Sequence, residues 1–182
     1  MTPGWRKLVL SVHLTSSLGW IGAVIAYVAL GIAAMASRDP ATVRGAWMAM
    51  ELVGWIVIVP LALAALVTGL VISLGTAWGL FRHYWVLISL ALTLLATLIL
   101  ILHMPSVSAT AALARVADSS QLGQLGGDLG HAVGGLVVLL VVTVLNVYKP
   151  QGLTPYGWRK QQEARTRTAD GHSMTREGLL SR

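Results

Sequence analysis

An all-α integral membrane protein, a bundle of four spanning helices with both termini cytoplasmic, is the fold that three properties of this chain predict. First, 55% of its 182 residues are hydrophobic and only 11% are charged, with a mean hydropathy of +0.73. Soluble domains carry about a quarter charged residues. Second, four stretches are nearly free of charge: Leu8–Ser37, Leu52–Phe81, Tyr84–Ala114 and Leu129–Tyr148. Each supplies the roughly 20 apolar residues that a bilayer crossing needs. Third, the basic residues are unevenly shared between the two sides. Arg6, Lys7, Arg82, Lys149, Arg159, Lys160, Arg165, Arg167, Arg176 and Arg182 fall on one side, and Arg38, Arg44 and Arg115 on the other. That bias marks the basic side as cytoplasmic, and it adds some attraction to anionic head groups.

The first helix is expected over 8–36, stopped by Arg38-Asp39-Pro40. Its apolar run exceeds that of a signal peptide and shows no small-x-small cleavage site, so it reads as a retained span. A short outer segment, Ala41–Met50, leads into the second helix at 52–78, whose outer mouth carries Glu51. Pro60 inside it predicts a kink, because proline removes a backbone donor and crowds the preceding turn. Gly75-Thr76-Ala77-Trp78-Gly79 forms an inner turn ending at Arg82-His83. The third helix is expected over 84–103, ended or bent by Pro105. Ser106–Gly130 then makes the longest outer segment, with a surface helix at Ala109–Val116 and a glycine-rich loop. The fourth helix occupies 129–148, closed by Lys149-Pro150. Residues 1–150 are thus the transmembrane domain, and 151–182 a basic cytoplasmic tail, largely disordered, with the disorder expected beyond about Gln162, where His172 is simply solvated.

Gly4-Trp5-Arg6-Lys7 recurs as Gly157-Trp158-Arg159-Lys160. Both copies lie at the predicted cytoplasmic face, where Trp beside basic residues anchors a chain at head-group level. Short connections favour an antiparallel bundle. Small residues at Ala62, Ala65, Gly69, Gly134 and Gly135 allow close helix approach in lipid.

Several chemistries are excluded. There is no cysteine, which removes disulfides, thiolate metal sites and cysteine nucleophiles. No GxSxG, HExxH, Walker loop or dinucleotide fingerprint occurs. The glycine run at 126–130 has no following Lys to bind phosphate. The basic charge is accounted for by topology, so nucleic acid is not an expected partner. The spans hold scattered Ser and Thr plus Asn146, too few polar groups to line a conduit.

Four histidines fall within or at the ends of spans, and intramembrane ionisable groups are functional candidates. His13 and His83 lie toward the cytoplasmic side, His103 and His131 toward the outer side. A b-type haem iron takes two axial imidazoles from facing helices. His103 and His131 make the stronger pair, since Gly134 and Gly135 follow on the face of His131 and leave room for a porphyrin edge. His13, with His83, would make an inner pair. His83 and His103, twenty residues apart, point to nearly opposite sides of one helix at about 100° per residue. Both face the interior only if the helix bends or His83 precedes its regular part. The plainer readings are a His13 satisfied by a hydroxyl or carbonyl, and a His83 that is interfacial beside Arg82.

Glu51, His103 and His131 offer an alternative, with Asp128 close by. Two imidazoles and a carboxylate suit zinc, iron or manganese. Met48, Met50 and Met104 at the same level would favour copper(I). Against this, methionine is ordinary core filler, and Glu51 has simpler roles in capping the second helix or pairing with Arg44.

Val12-His13-Leu14-Thr15-Ser16-Ser17-Leu18-Gly19-Trp20-Ile21-Gly22 resembles the first-helix histidine motif of the copper-resistance D-type and cytochrome b561-like membrane proteins. With Arg82-His83-Tyr84-Trp85, Leu102-His103-Met104, His131-Ala132-Val133-Gly134-Gly135 and Tyr148-Lys149-Pro150, the pattern over about 8–157 is similar to an uncharacterised four-helix actinobacterial membrane family. The b561-like resemblance implies haem b on His13, His103, His131 and His83, and electron exchange with a quinone or another membrane redox partner. The copper-resistance resemblance implies metal handling, copper or zinc, at the outer face. The expected location is the bacterial cytoplasmic membrane. A cofactor-free accessory subunit, in a homo-oligomer or larger membrane complex, is the remaining alternative.

Overall fold

A computed structural model describes residues 2–75, 80–122, 125, 128–150, 152–163 and 165–166. The protein is all-α. Four helices are long and apolar enough to cross a membrane: α1 (Pro3–Ala36), α2 (Pro40–Gly75), α3 (Tyr84–Val116) and α4 (Leu129–Tyr148). At 1.5 Å per residue, the 20 residues of α4 match the roughly 30 Å of a hydrocarbon core. The other three run longer.

Each helix packs on its two cyclic neighbours, α1 on α2 and α4, α3 on α2 and α4. Early α1 meets late α2 where His13 reaches Ala65 and Thr68. Late α1 meets early α2 and early α4, where Gly31 faces Met50 and Leu129. Neighbours therefore run antiparallel, and the start of α1 and the end of α4 share one end of the bundle. The inward stripe of α1 is Trp20, Val24, Tyr27, Gly31 and Ala34, an alternation of four and three residues that keeps one helix face on its partners. A side chain at Gly31 would collide with Leu129, whose Cδ2 would lie 2.9 Å from the new Cβ.

Two outer segments differ from expectation. Residues 41–50 are not a linker but the first turns of α2. Asp39 caps them, accepting from the Ala41 and Thr42 amides at 3.3 and 3.0 Å and from the Thr42 hydroxyl at 2.7 Å. Pro40 at the first helical position is already set for helix. Likewise α3 does not end near His103; it passes through Pro105 to Val116 and absorbs the expected surface helix at 109–116. An interior proline costs about 3 kcal/mol. Here Met104, Val107, Ala111 and Ala114 are all buried, and α3 packs on the outer turns of α2. The Arg44 guanidinium donates to the carbonyl of Ala117 at 2.6 Å and closes that end.

The second proline is handled differently. Gly54–Ile58 is a π-helical turn just before Pro60. The proline ring crowds the carbonyl four residues back, that of Ile56, and a widened turn gives it room.

At the other end of the bundle, His83 is extended (φ −127°, ψ 133°) and precedes α3 rather than belonging to it. That removes the conflict of phase with His103. Residues 152–163, which precede the stretch expected to be disordered, are tied to the bundle. Leu153 bridges His83, Tyr84 donates to the carbonyl of Gly152, and Thr154 donates to that of Arg82. The Thr154 hydroxyl donates to Phe81 and accepts from the amide of Gly157. Residues 155–163 are helical. His172, the inner turn at 76–79 and glycines 126 and 127 lie outside the described residues.

Candidate functional site

The site is built around Asp128, which stands at the N-cap of α4. Its side chain points sideways into the bundle mouth and caps no backbone amide. His103 Nε2 donates to Asp128 Oδ2 at 2.6 Å, and the Tyr27 hydroxyl donates to the same oxygen at 3.0 Å. His131 Nδ1 lies 3.5 Å from Oδ1. The two imidazoles stack, with centroids 3.9 Å apart and planes 19° from parallel. Helices α1, α3 and α4 thus each contribute to one cluster. Asp128 and His103 side chains are 12% and 23% exposed, whereas His131 is 59% exposed and gives the cluster an open side.

His103, Asp128 and His131 each present a ligand atom, and these atoms lie within 4.8 Å of one another. Glu51 does not belong to this set. Its carboxylate is 2.5 Å from the guanidinium of Arg115, its partner instead of Arg44. The reason is the continuation of α3 beyond Pro105, which carries Arg115 alongside α2. Met104 and Met50 are fully buried core residues, and Met48 is exposed.

A cavity of about 290 Å³ lies beneath the cluster, between α1, α3 and α4. Gly134 and Gly135 line it as the sequence suggested, and a Cβ built on either meets nothing within 4 Å. His13 is elsewhere: its Nδ1 sits between the carbonyl of Ala65 (3.1 Å) and the hydroxyl of Thr68 (3.0 Å). Its ring packs on Gly69, where a Cβ would come within 3.1 Å of Cε1. His83 stands beside Trp85, with ring centroids 6.4 Å apart.

Tyr27 is the member that sequence reasoning missed. The signal was present, because Tyr27 continues the Trp20–Val24 stripe and a phenol facing the interior of an apolar bundle needs an acceptor.

Two nitrogen donors and one carboxylate oxygen fit a transition-metal ion with open positions. Tyr27 would then orient the carboxylate from outside the ligand set. For haem the fit is partial: the glycine-lined cavity of about 290 Å³ takes only part of a four-ring porphyrin, and the stacked imidazoles must part before both can serve one iron. No protein-family model, curated protein or solved structure matches the chain.

Proposed function

We propose that this multi-pass membrane protein binds one divalent transition-metal ion, zinc or copper, at the outer mouth of the bundle. It would do so in the bacterial cytoplasmic membrane, with the basic end of the bundle inside. The observation that carries this reading is the convergence of His103, Asp128 and His131 from α3 and the start of α4 onto one point, with an open side at the exposed His131. When bound, the ion supplies a Lewis acid with exchangeable positions. The chain holds the ligands, orients Asp128 through Tyr27 and excludes water from below with an apolar cavity. Elemental analysis of protein purified from zinc- and copper-supplemented cells tests it. About one equivalent is expected, falling at least tenfold in His103→Ala and Asp128→Ala. Metal-free wild-type protein, or variants that keep a full equivalent, would overturn the reading.

A second reading has its own support. The stacked pair His103 and His131 would ligate a b-type haem exchanging electrons with a quinone or another membrane redox partner, with the glycine-lined cavity, which as it stands takes one or two rings, widening to admit the macrocycle. Split visible bands in the dithionite-reduced spectrum, lost in His131→Ala, are expected for haem. A featureless spectrum from haem-replete cells removes it.

A further inference from the structure

We infer that the cavity beneath the His103–Asp128–His131 cluster binds a small, compact, membrane-soluble molecule carrying a hydroxyl or carbonyl group, which enters sideways from the bilayer between α3 and α4. The size of the cavity sets the first limit. Its volume of about 290 Å³ holds roughly ten water-sized groups, the bulk of one or two rings rather than a two-chain lipid. It is at the small end of ligand pockets.

Its walls set the second limit. Trp20 and Leu139 close the inner side, and Ala96, Ala132, Gly134 and Gly135 leave the free space. Apart from the indole of Trp20, the polar groups gather at one end, where Tyr27, His103, Asp128 and His131 border it. An apolar pocket with a few convergent polar groups at one end selects a molecule with that same polarity. A pure hydrocarbon chain would leave the Tyr27–Asp128–His103 network unused. A hydroxyl can donate to Asp128, and a carbonyl can accept from Tyr27 or an imidazole N–H.

The route follows from exposure. Leu95 and Ile99 on the α3 wall are 52% and 45% exposed at mid-span, and Gly134 opposite them on α4 is also exposed. The Leu95 and Ile99 side chains are apolar and lie in a helix long and apolar enough to cross a membrane, so acyl chains would border this flank. The inference goes beyond the metal reading and does not require it, because the cavity and hydrogen-bond network are formed by the chain alone.

The test uses 4-hydroxybenzophenone, a two-ring ketone and phenol that labels neighbouring C–H bonds on irradiation, with the full chain in lipid nanodiscs. Saturable labelling is expected in segments 92–104 and 130–139, mapped by peptide mass spectrometry, with and without chelator. Gly134→Leu should reduce it at least tenfold; the new side chain enters open space, so the fold accommodates it. Ala96→Leu fills the same cavity from α3 and serves if the first variant fails to fold. Val137→Leu, a lipid-facing control, should leave labelling unchanged. Tyr27→Phe should raise the half-saturating concentration at least threefold while the same peptides are labelled. Labelling that grows linearly with probe, spreads over all four helices as for bulk lipid, or survives both cavity-filling variants overturns the inference. Persistence of labelling after chelation separates it from failure of the metal reading.

Discussion

Asp128 concentrates the polar chemistry of its end of the bundle in one carboxylate, within reach of Tyr27, His103 and His131. Removing Tyr27 and removing Asp128 should therefore read differently. Interhelical hydrogen bonds in membranes average about 0.6 kcal/mol, so Tyr27→Phe should barely move thermal stability. As an outer-shell partner, its loss should weaken metal affinity roughly 10- to 100-fold, measured by competition with a chelating dye. Equal affinity in wild type and Tyr27→Phe would deny Tyr27 that role. Asp39 is the contrasting residue, an exposed cap outside the spans. The hydroxyl of Thr42, then the Thr42 and Ala41 amides, hold its carboxyl below the usual range. With the folded value depressed, its contribution is complete above the unfolded value of about 3.9 and is lost as pH falls through the lower folded one. Asp39→Ala should melt below wild type at pH 7, and the two should converge on strong acidification. A gap independent of pH would contradict the capping assignment.

At the scale of elements, two prolines in long helices have different outcomes. Pro60 follows a π turn and Pro105 is carried through, so a proline in a hydrophobic run did not by itself tell which would happen. The deciding factor is the neighbouring helix. Gly54, opening the π turn, lets Met104 sit against α2; a Cβ there would be 2.5 Å from Met104 Cε and 4.0 Å from the Tyr27 ring. Gly54→Val should cost about 1–3 kcal/mol by overpacking, and Met104→Ala added to it should recover part of the loss in a double-mutant cycle. Strict additivity in thermal unfolding would mean the two side chains do not compete. The inner clamp depends on Gly157, where a Cβ would strike the Arg82 carbonyl, backbone that cannot swing aside. Gly157→Ala should speed hydrogen exchange at Tyr84, Thr154 and Trp158 while leaving mid-span amides protected. Unchanged exchange at those three amides would rule the clamp out.

For the whole molecule, the distribution of basic residues makes a directional prediction. The chain lacks cysteine, so single introduced thiols report topology without background. Arg38→Cys should react with an impermeant maleimide on intact cells, and Gln161→Cys only after permeabilisation. The opposite pattern would turn the His103–Asp128–His131 mouth toward the cytoplasm and reverse the side from which it takes an ion.

Span number, the existence of α4 over 129–148 and the placing of His103 and His131 near the same end of the bundle were legible in the linear order of residues. Hydrophobicity is additive along a chain, and a bilayer reads it in lengths of about 20 residues, so those features need no knowledge of neighbours. Only the tertiary structure decided that Asp128 rather than Glu51 completes the cluster, that Tyr27 supports it, and that 152–163 close the inner end. Each depends on how a helix is rotated about its axis and where it stops. Those quantities are set by contacts with other helices: Met104 over Gly54, Arg115 against Glu51, Leu129 over Gly31. Sequence periodicity gives a helix its faces, but packing chooses which face meets which partner.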